Sequence, residues 1–438
     1  MSFEYKRVTA PLILALTVVL ASSTFVRAAV AAPDGEGAVD VKTPTTPSAA
    51  PSATPPVPTA PSPAAQGGTK AAQTSVADTL QPVLPEPGTG EKPTGPWELS
   101  VFGYLRAGYD HTVKDDRYDF IGRNNGFVLD SARVGLQGGN RDYGFTFRIS
   151  LEGASDVLSA PNTPIGTLSV RLRDGFARWD PFHFIGVQAG QFKAPFQEEE
   201  LRSTQALLFA SRAVGVEGVS PGRGFQLPGI QLDRQLGVML SPIKPIGGDV
   251  TLSYYVMVMN GNGSNQLLDD NGRLGLVART ELNILKYVRV GAGLFRNDRT
   301  VGTPPNLYNE EDLGLTGDVG ATVAGFEAFG AVTRVRTVFP TVGTSARVQL
   351  AFHAQLGYRI DLPGFDLTPA YRYAYFHPWE SGGGGGFDAF KLQYHTLGVR
   401  VAHGKMPITA WLNYTITGEE AGRKLANDRV EILGQVTF

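Results

Sequence analysis

The sequence predicts an all-β chain, a transmembrane antiparallel β-barrel of about 16 strands with an inward-folded third loop. Three observations predict it. Long runs alternate apolar with polar residues, connections alternate between tight and long, and mean hydropathy is only -0.09 on a chain that opens with an export signal. A helical membrane protein would be far more apolar. A barrel would not, because each strand averages an apolar outer face with a polar inner one.

Residues 1–31 are expected to be a signal peptide. Lys6 and Arg7 give a basic start, Leu12 to Leu20 is an apolar run, and Ala29-Val30-Ala31 offers small residues to a peptidase, with Val26-Arg27-Ala28 as a second candidate. The run is shorter than the ~20 residues a spanning helix needs. Residues 32–96 are expected to be a disordered periplasmic linker rich in Pro, Ala and Thr. Thr43 to Pro63 is almost entirely Pro, Ala, Ser and Thr, which cannot bury a core and favours extended polyproline conformations. At ~3.1 Å per residue the roughly sixty residues from Pro33 to about Thr94 reach at most roughly 190 Å, as an inert spacer or as a tether through a cell-wall layer.

Residues 97–438 are expected to form the barrel. Trp97, Leu99, Val101, Leu105 and Tyr109 fall on one face of the first strand, and Glu98, Ser100, Tyr104 and Arg106 on the other. Ile408, Leu412, Tyr414 and Ile416 alternate with Thr409, Asn413, Thr415 and Thr417 in the same way. The chain closes on Val430, Ile432, Val436 and Phe438, whose terminal aromatic is an assembly mark of this class. Such runs of about ten to thirteen residues suit a tilted membrane strand, whereas sandwich strands average about five or six. Gly139–Arg141, Pro181–Phe182, Leu285–Lys286 and Leu362–Gly364 are tight connections. His111–Asn125, Gly153–Thr167, Ala194–Gln231 and Asp298–Asp318 are long ones. Short periplasmic turns and long outer loops are the outer-membrane pattern.

Strands are expected near 97–109, 126–138, 142–152, 168–180, 183–193, 232–241, 249–260, 272–283, 287–297, 315–325, 328–339, 345–360, 364–377, 388–402, 405–417 and 428–438. Their even number leaves both ends in the periplasm. Gly325 to Gly330 is ambiguous between turn and strand interior. In 388–402, Lys391, Gln393 and His395 share parity with Leu397, Val399 and Val401, which calls for a bulge or a later start.

With no cysteine and a net charge of -2, the chain has no disulfide framework, no thiolate metal site and no basic balance suited to nucleic acid. No cofactor and no metal is expected. An enzyme is not expected either: His353 falls mid-strand facing the lumen and His111, His377 and His403 near ends or loops, none in an evident serine–aspartate pattern.

Function is carried by arginine. Arg106, Arg133, Arg148, Arg171, Arg173, Arg279, Arg289, Arg347, Arg359, Arg372 and Arg429 all fall on the polar register, against Glu98, Glu152, Glu281 and Glu431. Cationic rings in a narrow passage favour anions; the bland alternative is that these arginines brace the wall through carboxylates. The longest connection, Ala194–Ile230, carries Phe196, Leu207, Leu208 and Phe209, enough apolar surface to fold into the lumen and narrow it. There Glu198, Glu199 and Glu200 would oppose Lys193, Arg202, Arg212 and Arg223 and set the field at the constriction. The expected pore-lining, anion-binding set is Arg106, Arg133, Arg148, Arg171, Arg173, Lys193, Arg202, Arg212 and Arg223.

Gly190-Gln191-Phe192-Lys193-Ala194-Pro195-Phe196 is followed by Glu199-Glu200-Leu201, Ser203-Thr204, the stretch from Phe209 to Arg212, Pro221-Gly222-Arg223 and Leu236-Gly237-Val238. With Asp130-Ser131-Ala132-Arg133-Val134-Gly135-Leu136 before it, this order resembles the phosphate-selective porins of the O and P type across about residues 97–240. The resemblance implies a porin in the outer membrane of a Gram-negative bacterium, a homotrimer in contact with outer-membrane lipid, whose lumen arginines pass small anionic solutes. Phosphate-selecting members resemble one another in a lysine-rich entrance, which is reduced here to Lys193. The alternatives are therefore a general diffusion porin without selectivity, or a structural barrel tethered through its linker.

Overall fold

The computed structural model describes residues 97–438 apart from 156–167, 183, 226, 243–245, 267, 286, 341–343, 382–390 and 421–423. The expected signal peptide, the linker and most of the 153–167 connection lie outside the described residues.

Sixteen long strands follow one another: β1 (Glu98–Thr112), β2 (Gly126–Asn140), β3 (Phe145–Ser155), β4 (Leu168–Phe182), β5 (Ile185–Lys193), β6 (Arg234–Ser241), β7 (Val250–Met259) and β8 (Gly275–Ile284). Then come β9 (Val288–Thr303), β10 (Asn306–Val323), β11 (Phe326–Phe339), β12 (Thr344–Tyr358), β13 (Phe365–Ser381), β14 (Lys391–His403), β15 (Ile408–Glu420) and β16 (Arg429–Thr437). Each pairs antiparallel with the next, and β16 closes the ring on β1. Short extensions at Ile246–Gly247 and Ile360–Leu362 pair with β7 and β13 towards the periplasmic turns.

The seam explains the terminal aromatic. Tyr104 to Thr112 pair with Thr437 to Arg429, and the main chain of Phe438 then exchanges bonds of 2.9 and 3.0 Å with Gly103. A Cβ on Gly103 would lie 2.5 Å from the Phe438 ring, so only glycine lets that ring lie across the seam. Alternation works as expected on the outer face: Leu99, Val101, Leu105, Leu412, Ile432 and Val436 are exposed, while Tyr104, Arg106 and Glu431 are buried.

Three local expectations change. Asp298–Asp318 is not a long loop: β9 and β10 run on as a paired hairpin from Val288↔Ala321 to Thr303↔Asn306. Its outer part is made of polar residues, Arg299 bonding Glu310 at 2.7 Å and Thr300 bonding Asn309 at 2.9 Å, so no apolar parity marks it as strand. β14 needs no bulge. It starts at Lys391 and pairs without interruption, with His395 on the outer face bonded to the Tyr371 hydroxyl at 2.7 Å. Bulges occur instead at Asp130, between Arg106↔Ser131 and Ala107↔Leu129, and at Arg173, between Ser150↔Asp174 and Leu151↔Leu172. Gly325 belongs to a two-residue turn with Ala324, both at positive φ (86° and 48°), and Gly330 to β11.

After β5 the third loop turns into the barrel. It contains two single-turn helices, α1 (Glu198–Leu201) and α2 (Val214–Glu217), and a small ladder of Gly218–Val219 with Leu227–Pro228. Its Phe196, Leu201, Val214, Val216 and Val219 form one buried cluster with Met257, Val277, Phe295, Val335, Ala351 and Phe376 of the wall. Those wall residues lie on the inward register, so over this arc the inner face is apolar, where alternation had implied polar residues. It is apolar because it meets the loop, not water.

Candidate pore constriction

The three adjacent glutamates decide what the loop can do. In α1 successive side chains diverge by about 100°, and each carboxylate enters a different receptor. Glu198 meets Arg202 at 3.0 Å, Arg279 at 3.6 Å, and Arg289. Glu199 lies 2.9 Å from His353 Nε2 and 3.5 Å from Arg372, and accepts the Ala213 N–H at 3.1 Å. Glu200 accepts the N–H of Leu232 at 3.4 Å and that of Asp233. All three are buried. The acidic cluster, expected from sequence to oppose the cations of the passage, is therefore engaged in anchoring the loop. Burial would raise the Glu199 carboxyl, but His353 and then Arg372 hold it well below the ordinary range. Burial, and after it Asp233, push Glu200 up to about 7.

Several expected anion ligands are structural pins. The Lys193 ammonium donates to the carbonyls of Glu200, Leu201 and Arg202 at 2.6, 3.2 and 3.0 Å, closing the C-terminal end of α1. Arg202 pairs with Glu198 and with Glu327 at 3.0 Å and lies over the Phe329 ring. Arg106 is 1% exposed; it donates to the Ala210 carbonyl, pairs with Asp130 at 3.0 Å and stacks over Trp411. The loop tip is seated by shape as well. Leu208 and Phe209 fill gaps left by Gly357 and Gly398, where an added Cβ would come within 3.0 and 2.8 Å of them.

Two cationic surfaces remain. Between the loop and β13–β16 lies a recess of about 440 Å³, partly continuous with open solvent, lined by Arg212, Arg223, Arg372, Arg429, Glu217 and the threonines Thr396 and Thr415 among others. Arg223 reaches Glu217 and Asp110 at 3.3 Å each, and Arg429 reaches Asp110 at 2.7 Å, so some of this charge is balanced from behind. Arg212 donates to the carbonyls of Glu199 and of Arg202 (2.9 Å). The second surface is a ladder across β2–β6. Arg133 pairs with Asp174, Arg148 bonds Gln137 at 2.6 Å and lies over Phe102, and Arg171 is exposed opposite Glu152. Arg173 pairs with Glu152 and with Asp233 (3.3 Å), and Arg234 with Asp174 (2.9 Å) and Asp233 (3.0 Å). Five arginines thus stand among Glu152, Asp174 and Asp233, and three of them, Arg133, Arg173 and Arg234, are paired to these carboxylates.

Sequence parity placed Arg372 and Arg429 inward without assigning them to the constriction, and nothing local marked Tyr394, Thr396 or Asn427 as lining. The docking wall did leave a trace. β7 loses its alternation over Tyr254-Tyr255-Val256-Met257-Val258-Met259, apolar on both faces.

Residues 103–241, which run from β1 to the end of β6 and so include the ladder and the loop, match the family described as phosphate-selective porin O and P. No curated protein matches the chain. Among solved structures, the anion-selective porin from Comamonas acidovorans is similar at a TM-score of 0.54 and 11% identity, over 78% of this chain and 100% of that one. The outer membrane channel DcaP of Acinetobacter baumannii gives 0.52 and 14%, over 80% and 99%. Salmonella typhi OmpF, in complex with daunomycin, gives 0.51 and 13%, over 78% and 97%. At such identities the likeness is one of fold. A closed barrel whose third loop is docked inside it is the fold of outer-membrane porins, and its ladder and loop are built from the residues that are similar to the phosphate-selective porins O and P.

Proposed function

We propose that this porin conducts small anions passively, past the β2–β6 ladder and through the recess between the third loop and β13–β16. One observation carries the reading: on the ladder five arginines stand among three carboxylates, with Arg133, Arg173 and Arg234 paired to them and Arg148 bonded to Gln137. Coulomb energies grow several-fold in a confined, partly desolvated passage, so a local excess of cations there outweighs a near-neutral chain. Burial of Glu198, Glu199 and Glu200 among their own partners supports it, since the main opposing charge is consumed as an anchor. The fold is also that of a porin described as anion-selective.

In this reading Arg133, Arg148, Arg171, Arg173, Arg212 and Arg223 meet the solute, joined by Arg372 and Arg429. Arg106, Lys193 and Arg202 position the loop. The solute class is small anions in general, because most of these guanidinium groups already share a carboxylate and do not form a cage of free donors. Assembly as a homotrimer belongs to the same proposal, on the family resemblance, and cross-linking in native membranes checks it.

Single-channel reversal potentials in a potassium chloride gradient test the function. Wild type should prefer chloride, and Arg148→Gln, Arg171→Gln and Arg212→Gln together should shift the potential towards cations. A wild-type channel that prefers potassium would leave only a general diffusion pore. A barrel without conductance would be the tethered structural protein.

A further inference from the structure

The outer register of a barrel faces lipid, and on β1, β6–β8, β15 and β16 it is led by exposed Leu, Val and Ile. β9 and β11 break this rule. Arg296 follows exposed Leu294 on the outward register of β9, and across exposed Leu313 of β10 it is level with Arg336 of β11. Arg334 stands two residues away, opposite exposed Leu315. The neighbours of opposite parity, Phe295 and Val335, are buried in the cluster with the third loop, so these guanidinium groups are on the outside.

Their depth is informative. Arg296 stands nine residues past Tyr287 of its periplasmic turn, Arg334 nine past Gly325, and Arg336 eleven. A rise of ~3.3 Å per residue at a tilt of about 45° places them ~20–25 Å above those turns, at the outer edge of an apolar band ~25 Å tall. Long arginine stems can cover apolar surface there while the heads reach the headgroups. The cross-strand partners of Arg336 and Arg334, Val348 and Leu350, are only 6% exposed each on this otherwise open face. One step further out, Arg273 engages both nearby carboxylates, Asp298 at 3.4 Å and Glu311 at 3.2 Å, while Arg296 lies 3.8 Å from Asp298. In the ion pairs of the described residues Asp298 and Glu311 engage Arg273 and Arg296, and neither reaches Arg336.

We propose that Arg296, Arg334 and Arg336 form a binding site for the phosphate groups of a phosphorylated lipid headgroup in the outer leaflet. Planar guanidinium forks match phosphate oxygens, and Leu313 between Arg296 and Arg336, with Leu294 and Leu315 one step lower beside Arg334, offers apolar surface to the acyl chains. A second copy of the chain is the poorer occupant. It would have to offer outward carboxylates at this height, where the described residues of β6–β8, β15 and β16 present Leu, Val and Ile.

The test uses the full chain in detergent, exchanged into phosphatidylcholine nanodiscs doped with bis-phosphorylated lipid A or with the same lipid dephosphorylated, and retained lipid is read by native mass spectrometry. Wild type should retain the phosphorylated form about tenfold over the dephosphorylated one. Arg296→Gln, Arg334→Gln and Arg336→Gln combined should abolish that preference while conductance and reversal potential stay as in wild type. Equal retention of the two lipids by wild type overturns the proposal without recourse to any variant. Complete release of the lipid by excess inorganic phosphate overturns it in favour of a site for the free ion. A combined variant that alters oligomer size but not lipid preference overturns it in favour of a subunit contact.

Discussion

The inner wall of this barrel is two surfaces on one ring of strands. From β2 to β6 the inward residues include Arg133, Asp174 and Arg234, paired across the strands, and Arg148, bonded to Gln137. From β7 to β13 they include Met257, Val277, Val335, Ala351 and Phe376, sealed under the third loop. Both arcs are mainly apolar outside, with the arginines of β9 and β11 as the exception. The contrast teaches that alternation encodes only which side meets lipid; what the other side meets is written in the inward residues themselves. On the ladder Asp174 and Arg234 are buried as a pair, while Arg171 is exposed and Arg173 keeps 30% of its side chain exposed, so that water helps to solvate the charge there. Under the loop it survives only when fully paired.

Arg279 is the sharpest way to break that distinction. Its side chain is 0% exposed and meets Asp318 at 2.7 Å, Glu281 at 2.8 Å, Glu198 at 3.6 Å and the Phe196 carbonyl at 2.9 Å. Arg279→Met strands buried carboxylates and should cost about 3–5 kcal/mol. The denaturation midpoint in detergent should fall, and the channel should become larger and noisier as the loop base comes free. Arg173, on the ladder with 30% of its side chain exposed, is the control. Arg173→Met should cost about 1 kcal/mol or less and act mainly on the reversal potential. Equal stability losses at the two positions would mean that the two arcs do not differ in kind.

Most of the barrel was legible because one physical requirement, an apolar face towards lipid, repeats in every strand. Parity and the spacing of the connections placed the sixteen strands, with Gly325 to Gly330 and 388–402 left ambiguous. Parity failed where that requirement lapses: on the hairpin of β9 and β10 beyond the membrane, where Arg299 and Thr300 pair as strand without an apolar side, and on the bulged Arg173. The site was only half legible. Sequence shows that Glu198, Glu199 and Glu200 are adjacent, not that their receptors are Arg279, Arg289, His353 and two main-chain N–H groups drawn from distant parts of the chain. Lys193 looked like a free cation for the same reason, since its partners are carbonyls whose position depends on the fold of α1.

The loop tip tests whether shape, and not only charge, docks the covered arc. Phe209 is 1% exposed, stacks under Arg372 and occupies the gap at Gly398. Phe209→Ala should cost about 3 kcal/mol. Gly398→Val should cost a similar amount, because its Cβ alone would lie 2.8 Å from the Phe209 ring. The combined variant should be more stable than Gly398→Val, valine filling the space that phenylalanine left. Simple additivity of the two losses in denaturation midpoints would show that ring and glycine do not form one socket.

The smallest expected effect lies at Glu200, where the two arcs join. It sits between Lys193 at the end of β5 and the N–H groups of Leu232 and Asp233 just before β6. Burial first and Asp233 second raise its carboxyl to about 7 from 4.5. A carboxyl that holds its proton more tightly when folded stabilises the anchored loop fully below the unfolded value. It loses that contribution as the pH climbs through the folded one. From about pH 6 to about pH 8 the loss is about 1.4 kcal/mol. Glu199 runs the other way: drawn down by His353 and Arg372, it contributes above the ordinary carboxylate range and loses its hold only in strong acid. The loop should therefore be tightest in mildly acidic solution, and open-channel noise should rise on both sides of that minimum. Glu200→Gln should flatten the limb towards neutral pH and leave the acid limb, whereas Glu199→Gln should do the reverse. A neutral limb that survives Glu200→Gln would show that another group at the loop base titrates there, and would remove Glu200 from the hinge between the arcs.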